Sequence, residues 1–260
     1  MGRSIALLAA LLLAATAVAA PAALRPSSPL IAAASDLQFA LAEILDSFRR
    51  DTGIEVRITY GSSGNFARQI SQGAPFELFM SADESFVFAL AERELTLDRG
   101  ELYATGRIVL FAPEGSPLIP DPQLEHLARR VADGSSGRIA MANPEHAPYG
   151  RAAQQALQAL GLWQAVQPHV VLGENVAQAA QFAASGNADG GIIAYSLALA
   201  PALRDRGRYA LIPESLHAPL RQRMVLLRHA SPEAARLYEY LRSPASRAIL
   251  ARYGFELPEG

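Results

Sequence analysis

The sequence predicts an α/β fold made of two successive strand–helix units. Short apolar runs alternate with stretches of helical periodicity along the chain, and Gly and Pro punctuate the junctions between them. Half of the 260 residues are apolar, enough to bury a sizeable core.

Residues 30–34 form the first predicted strand, after a linker of Pro26, Ser27, Ser28 and Pro29. The next segment carries Leu37, Leu41, Ile44, Leu45 and Phe48 at helical spacing and stops at Gly53. An alternating strand over 54–60, a helix from about Asn65 to Gln72 and an apolar strand over 77–80 follow, the last running into Ser81, Ala82, Asp83 and another helix. Such a succession implies a mainly parallel sheet. The second unit takes a strand over 107–112, a Pro- and Gly-rich stretch over 113–122, a helix through Arg130 and a strand over 138–142. A proline-rich turn over 143–150 starts a helix ending at Gly161, and a strand over 170–172, a helix over 175–184 and a strand over 190–194 complete the unit. The chain is then expected to return to the first unit through strands over 209–212 and 223–228 and helices over 232–242 and 244–253.

Residues 1–23 read as a secretory signal peptide. Arg3 precedes the apolar run 5–15, and small residues at 17–20 lead to Pro21, so cleavage is expected between about Ala20 and Ala23. The run is short for a membrane span, and no later segment is apolar over about 18 residues. The chain has no cysteine, which excludes disulfides, thiolate metal sites and a cysteine-linked lipid anchor. A soluble periplasmic protein is the expected product. The net charge of −2 leaves no basic footprint for nucleic acid or an anionic membrane.

Two serine-bearing turns carry the functional signal. Ser35, after Ala32-Ala33-Ala34, and Ser62-Ser63, within Gly61-Ser62-Ser63-Gly64, each sit where a strand hands over to a helix. Unpaired N–H groups at a helix N-terminus attract anions, and a hydroxyl placed there adds a directed donor. The competing role for either serine is an ordinary N-cap. The Gly-Ser-Ser-Gly string recurs at 134–137 in what reads as a surface turn, so placement rather than the string carries the signal. Enzymatic readings find little support. The turn at Gly61 lacks the Gly-x-Ser-x-Gly pattern of a hydrolase, and a P-loop lysine is absent. His126, His146, His169, His217 and His229 show no metal-ligand spacing.

Further landmarks recur in order. They are Ala67-Arg68-Gln69-Ile70, Gly73-Ala74-Pro75, Leu78-Phe79-Met80-Ser81-Ala82-Asp83, Asn143-Pro144-Glu145-His146-Ala147-Pro148-Tyr149-Gly150, Glu174-Asn175-Val176 and Arg252-Tyr253-Gly254-Phe255. With the two serine turns they resemble the periplasmic molybdate-binding proteins of bacterial ABC importers, a type II periplasmic binding protein family, over nearly all of the chain beyond the signal segment. The resemblance implies a two-lobed periplasmic-binding-protein fold with the ligand in the inter-lobe cleft: residues 30–105 with 206–260 as one lobe and 106–205 as the other. It implies molybdate or tungstate as ligand, no cofactor, a monomer, and the membrane permease of an importer as partner. Position by position, it implies the hydroxyls of Ser35 and Ser63 and the backbone N–H groups of Tyr149 and Val176 as ligands. The family's tyrosine ligand directly follows Gly-Ile-Val, whereas here Ala194 intervenes before Tyr195, so Tyr195 and the Tyr149 hydroxyl both stand as candidates. Arg68 lies about a turn into its helix and is expected to be solvated or in an inter-lobe ion pair. Sulfate is the rival ligand. Hydrogen phosphate carries a proton that needs an acceptor, and a cradle of N–H and hydroxyl groups offers few.

Overall fold

A computed structural model describes residues 28–258, and the expected signal segment lies outside them. Strand β1 (Leu30–Ala34) is buried on both faces. Ile31 and Ala33 pack with Leu41, Ile44 and Phe48 of α1 (Gln38–Thr52), while Ala32 packs with Phe66 and Ile70 on the other side. This is why β1 reads as a continuous apolar run rather than an alternating one. A 3-10 turn, Ser35–Leu37, joins β1 to α1. Then come β2 (Arg57–Gly61), α2 (Ser63–Ser71), β3 (Leu78–Ser81), α3 (Glu84–Glu92) and β4 (Glu101–Gly106).

The second unit contains β5 (Ile108–Pro113), α4 (Glu125–Ala132), β6 (Ile139–Ala142), α5 (Pro148–Ala159), the short α6 (Trp163–Val166), β7 (Val170–Gly173), α7 (Val176–Ala184), β8 (Gly190–Ala194), α8 (Tyr195–Ala198) and β9 (Gly207–Leu211). Strand β10 (Leu220–Leu226) and helices α9 (Pro232–Leu241) and α10 (Pro244–Arg252) close the chain.

Two five-stranded sheets result, ordered β2-β1-β3-β10-β4 and β7-β6-β8-β5-β9. Each is mixed rather than mainly parallel. In the first, β1 pairs parallel with β2 and β3, while β10 runs antiparallel to β3 and β4. In the second, β6 pairs parallel with β7 and β8, while β5 runs antiparallel to β8 and β9. The physical reason is connectivity. The chain crosses between the sheets at β4–β5 and β9–β10, and β10 comes back into the first sheet against the direction of β3.

Two sequence expectations change. Strand β4 was not anticipated, because Glu101-Leu102-Tyr103-Ala104-Thr105-Gly106 is an edge strand with little apolar character. The strand expected over 209–212 to return to the first sheet instead belongs to the second, where Leu211 registers with Val109 and Gly207 with Pro113. The return is made by β10 alone. Arg107, at the first crossing, is tied to Glu256 at 2.6 Å and to Glu214 at 3.0 Å, which links that crossing to both the C-terminal segment and the second crossing.

Gly106 precedes Arg107 and lies against a buried polar cluster. The Tyr103 hydroxyl donates to Gln222 Oε1 at 2.7 Å, and Gln222 Nε2 donates to the Tyr149 hydroxyl at 2.9 Å. A Cβ at Gly106 would lie 2.2 Å from that hydroxyl and 2.6 Å from Gln222 Nε2. Moving either group leaves a buried polar atom unpaired. Gly106→Ala is therefore expected to destabilise the protein by about 1–3 kcal/mol and to lower its midpoint of thermal unfolding by several degrees. An unchanged midpoint would contradict this account of the crossing.

Candidate anion-binding site

Four chain turns converge where the two sheets face each other. Helix α2 starts at Ser63, two residues before the sequence suggested, with Ser62 in extended conformation at its N-cap position. The Ser63 Oγ accepts the Ala82 N–H at 2.9 Å, so its own proton remains for another acceptor. Ser35 opens the 3-10 turn, and Ala34 rather than Ser35 occupies the N-cap position. Its Oγ instead crosses to the second lobe and accepts the Ala177 N–H of α7 at 3.2 Å. Asn175 caps α7 by accepting the Gln178 N–H at 3.1 Å. As the first residue of α7, Val176 has an N–H with no partner inside the helix. At α5, Pro148 has no N–H, and those of Gly150 and Arg151 go to the Ala147 carbonyl. The Tyr149 N–H between them has no intrahelical acceptor.

Ser35, Ser63, Tyr149 and Val176 line one small cavity, together with Asp36, Ser62 and the small residues Ala34, Gly61, Ala82 and Ala147. The space left in it for a water-sized sphere is about 10 Å³, far below the roughly 300–1,000 Å³ of pockets for organic ligands. No lysine or arginine lines it. Positive character comes from the N-termini of α2, α5 and α7, each carrying about half an elementary charge. The small side chains let those backbones approach one another.

The remaining expected residues fall elsewhere. Tyr195 does not line the cavity: its ring packs, tilted by 58°, with its centroid 5.5 Å from that of Tyr209, and lies against Gly254. The extra residue Ala194 continues β8, and Tyr195 starts α8, so the side chain is carried past the cleft. The Tyr149 hydroxyl is also engaged, because it donates its only proton to Asp36 Oδ2 at 2.8 Å. Burial, then the adjacent Asp36, push its pKa well above the usual tyrosine range. The reading that this hydroxyl serves the anion is therefore corrected. Arg68 is exposed and bonds Asn65 at 2.5 Å.

Contacts across the lobes hold the cavity shut. Ser62 Oγ lies 2.9 Å from His146 Nδ1, the Gly64 N–H donates to the His146 carbonyl at 3.0 Å, and Arg151 pairs with Asp83 at 2.5 Å. Ser62, for which the sequence offered an ordinary cap, and His146, which it gave no metal role, thus bridge the lobes. Among the described residues no group of three or more His, Asp or Glu side chains gathers to hold a cation.

Asp36 is an acceptor that the sequence reading did not count. It is 1% exposed, and its Oδ2 receives Gln222 Nε2 at 2.6 Å as well as Tyr149. Desolvation pushes its pKa up to about 6, against the opposing pull of the Gln222 and Tyr149 hydrogen bonds. Raised in the folded state, this group adds stability that is complete below its unfolded pKa near 4 and is lost as pH rises through about 6. Asp36→Asn removes the titration. The variant is expected to match the wild type at about pH 4 and to exceed it at neutral pH by on the order of 3 kcal/mol, measured by denaturant unfolding across pH. A constant difference between the two proteins at all pH values would contradict the assignment.

The chain is similar to known proteins over most of its length. Residues 29–256 match the family described as bacterial extracellular solute-binding protein. The molybdate-binding protein ModA of Rhodobacter capsulatus is 35% identical over 82% of this chain and 82% of its own length. ModA of Azotobacter vinelandii is 34% identical over 87% of this chain and 89% of its own. The solved structure of the Azotobacter vinelandii periplasmic molybdate-binding protein superposes with a TM-score of 0.80 at 30% identity, over 89% of this chain and all of that one. The sulfate-binding protein SubI of Mycobacterium tuberculosis, at 15% identity and a TM-score of 0.73, shares the fold alone. The chain belongs to the bacterial extracellular solute-binding protein family and is a relative of its molybdate-binding proteins.

Proposed function

We propose that this protein captures molybdate, or the closely similar tungstate, in the periplasm and delivers it as a monomer to the membrane permease of an ABC importer. The observation that carries this reading is the convergence of three helix N-termini and two serine hydroxyls on one small cavity without a cationic side chain. That donor set suits a fully deprotonated tetrahedral oxyanion, which needs hydrogen bonds on every face and no acceptor. The names of the relatives direct the choice among such anions toward molybdate. Ser35 and Ser63 supply hydroxyls, and Ser63, Tyr149 and Val176 supply N–H groups. The protein binds and releases its ligand unchanged, and no catalytic role is assigned to any residue.

Calorimetric titration with molybdate, tungstate, sulfate and phosphate tests the reading. One tight site for molybdate or tungstate is expected, and preferential binding of phosphate would overturn it. Ser63→Ala removes a hydrogen bond to an anion and is expected to weaken binding by roughly tenfold to a hundredfold, whereas Ser136→Ala, in the remote turn at 134–137, leaves it unchanged.

Ligands drawn from both lobes make binding and closure one process. The bound state then presents a surface that exists only when the lobes meet, which a permease can read. Gly64 tests this without touching the anion. A Cβ there would lie 2.6 Å from the His146 carbonyl oxygen across the cleft. Gly64→Ala is expected to obstruct closure and to reduce affinity by about tenfold or more, with the donors intact. Wild-type affinity in that variant would show that capture does not require this degree of closure.

A further inference from the structure

The carboxyl of Asp36 is placed asymmetrically. Oδ2 accepts two hydrogen bonds, from Tyr149 and Gln222, while Oδ1 is buried and has no hydrogen-bond partner. The two donors are themselves committed. Gln222 Oε1 is occupied by the Tyr103 hydroxyl, which turns Nε2 toward Asp36, and the Tyr149 hydroxyl already accepts from that Nε2 and so directs its proton to Oδ2. Every member of the network is satisfied except Oδ1, and Asp36 lines the anion cavity. One oxygen accepting twice and the other bare is the pattern of a neutral carboxylic acid, with Oδ2 as its carbonyl and Oδ1 as its hydroxyl.

We propose that Asp36 serves the cavity as a neutral acid, its Oδ1–H donating a hydrogen bond to an oxygen of the bound anion, so that capture of a dianion takes up one proton from solution. This deepens the oxyanion reading above and rests on it. The proton passes from solvent to Oδ1; no other bond forms or breaks. An ionised Asp36 would set a further negative charge beside the dianion in a cavity lined by no cationic side chain, and burial already disfavours that charge. The surroundings offset it only in part: Gln222, Tyr149 and the backbone N–H groups of Asp36 and Leu37 favour the charged form, and burial outweighs them. The titratable side chains facing Asp36 are Tyr149 from α5 and, through Gln222 of β10, Tyr103 from β4. Helices α7 and α8, which pack against the same turn, carry no Asp, Glu, Lys, Arg or His within their spans, and α8 contributes Ser196, whose hydroxyl donates to the Asp36 carbonyl at 2.8 Å. The first charged side chain of α1, Glu43, is paired with Arg252. The carboxyl also acts as a selector. Neutral, it is one more donor for a bare dianion; ionised, it would accept the proton of an anion such as hydrogen phosphate.

Calorimetry with sodium molybdate in two buffers of different ionisation enthalpy counts the protons directly. Uptake of about one proton per molybdate is expected near pH 8, decreasing below about pH 6, with affinity falling about tenfold per pH unit above neutrality. Asp36→Asn keeps the shape, with an amide oxygen toward Tyr149 and Gln222 and an NH₂ donor toward the cavity. It is expected to bind molybdate with no proton uptake and a flat pH profile. Molybdate binding to the wild type with equal heats in both buffers overturns the proposal while leaving the oxyanion reading intact. Tight hydrogen phosphate binding without proton uptake assigns Asp36 as an ionised acceptor and overturns it as well. Absence of molybdate binding at every pH overturns both readings.

Discussion

An anion withdrawn from water must find a donor for each hydrogen bond it leaves behind, and here no lysine or arginine lines the cavity that receives it. The rest of the structure follows from that constraint. Backbone N–H groups point outward only at helix N-termini, and one helix offers few of them, so several helices must end at one place. The strand–helix alternation of both sheets delivers α2 from one lobe and α5 and α7 from the other. Alanine and glycine around the cavity allow the approach, and Gly64 allows the lobes to touch.

The same convergence explains the buried polar cluster behind the cavity. Asp36 follows Ser35 in a turn that lines the cavity, Tyr149 lines the cavity and gives its hydroxyl to Asp36, and Gln222 lies on β10, the strand that returns from the second lobe. The cluster therefore joins the ligand turns to a crossing between lobes. A carboxyl buried in this way costs stability at neutral pH, which is consistent with a functional rather than a structural reason for its presence.

Much of this was legible in the sequence, and the failures have physical causes. The strand-to-helix placement of Ser35 and Ser63 marked two turns that the structure brings to one cavity, because position, not residue type, exposes N–H groups. Tyr149 and Val176, which line the same cavity, were reached only through the ordered resemblance, since a role expected of the backbone leaves no mark in the side chain. Strand β4 escaped because edge strands need little apolar surface, and β9 was given to the wrong sheet because periodicity says nothing about pairing partners. Gln222 had a signal that went unused: alternation along Leu220, Gln222 and Met224 turns it inward, and a buried glutamine requires partners. Asp36 likewise stood beside an anion donor, where an acid calls for explanation. The position of Tyr195 depended on whether one inserted residue lengthens β8 or bulges from it, which only the structure decides.

The central claim is that neutral donors from both lobes enclose a single oxyanion. A crystal structure grown with sodium molybdate, with anomalous scattering used to locate molybdenum, tests it most directly. The account predicts one molybdenum peak in the cavity between α2, α5 and α7, its oxygens within hydrogen-bond distance of the Ser35 and Ser63 hydroxyls and the Tyr149 and Val176 N–H groups, with Asp36 Oδ1 close enough to donate. A peak held by arginine or lysine side chains elsewhere, or confined to the residues of one lobe, would contradict it.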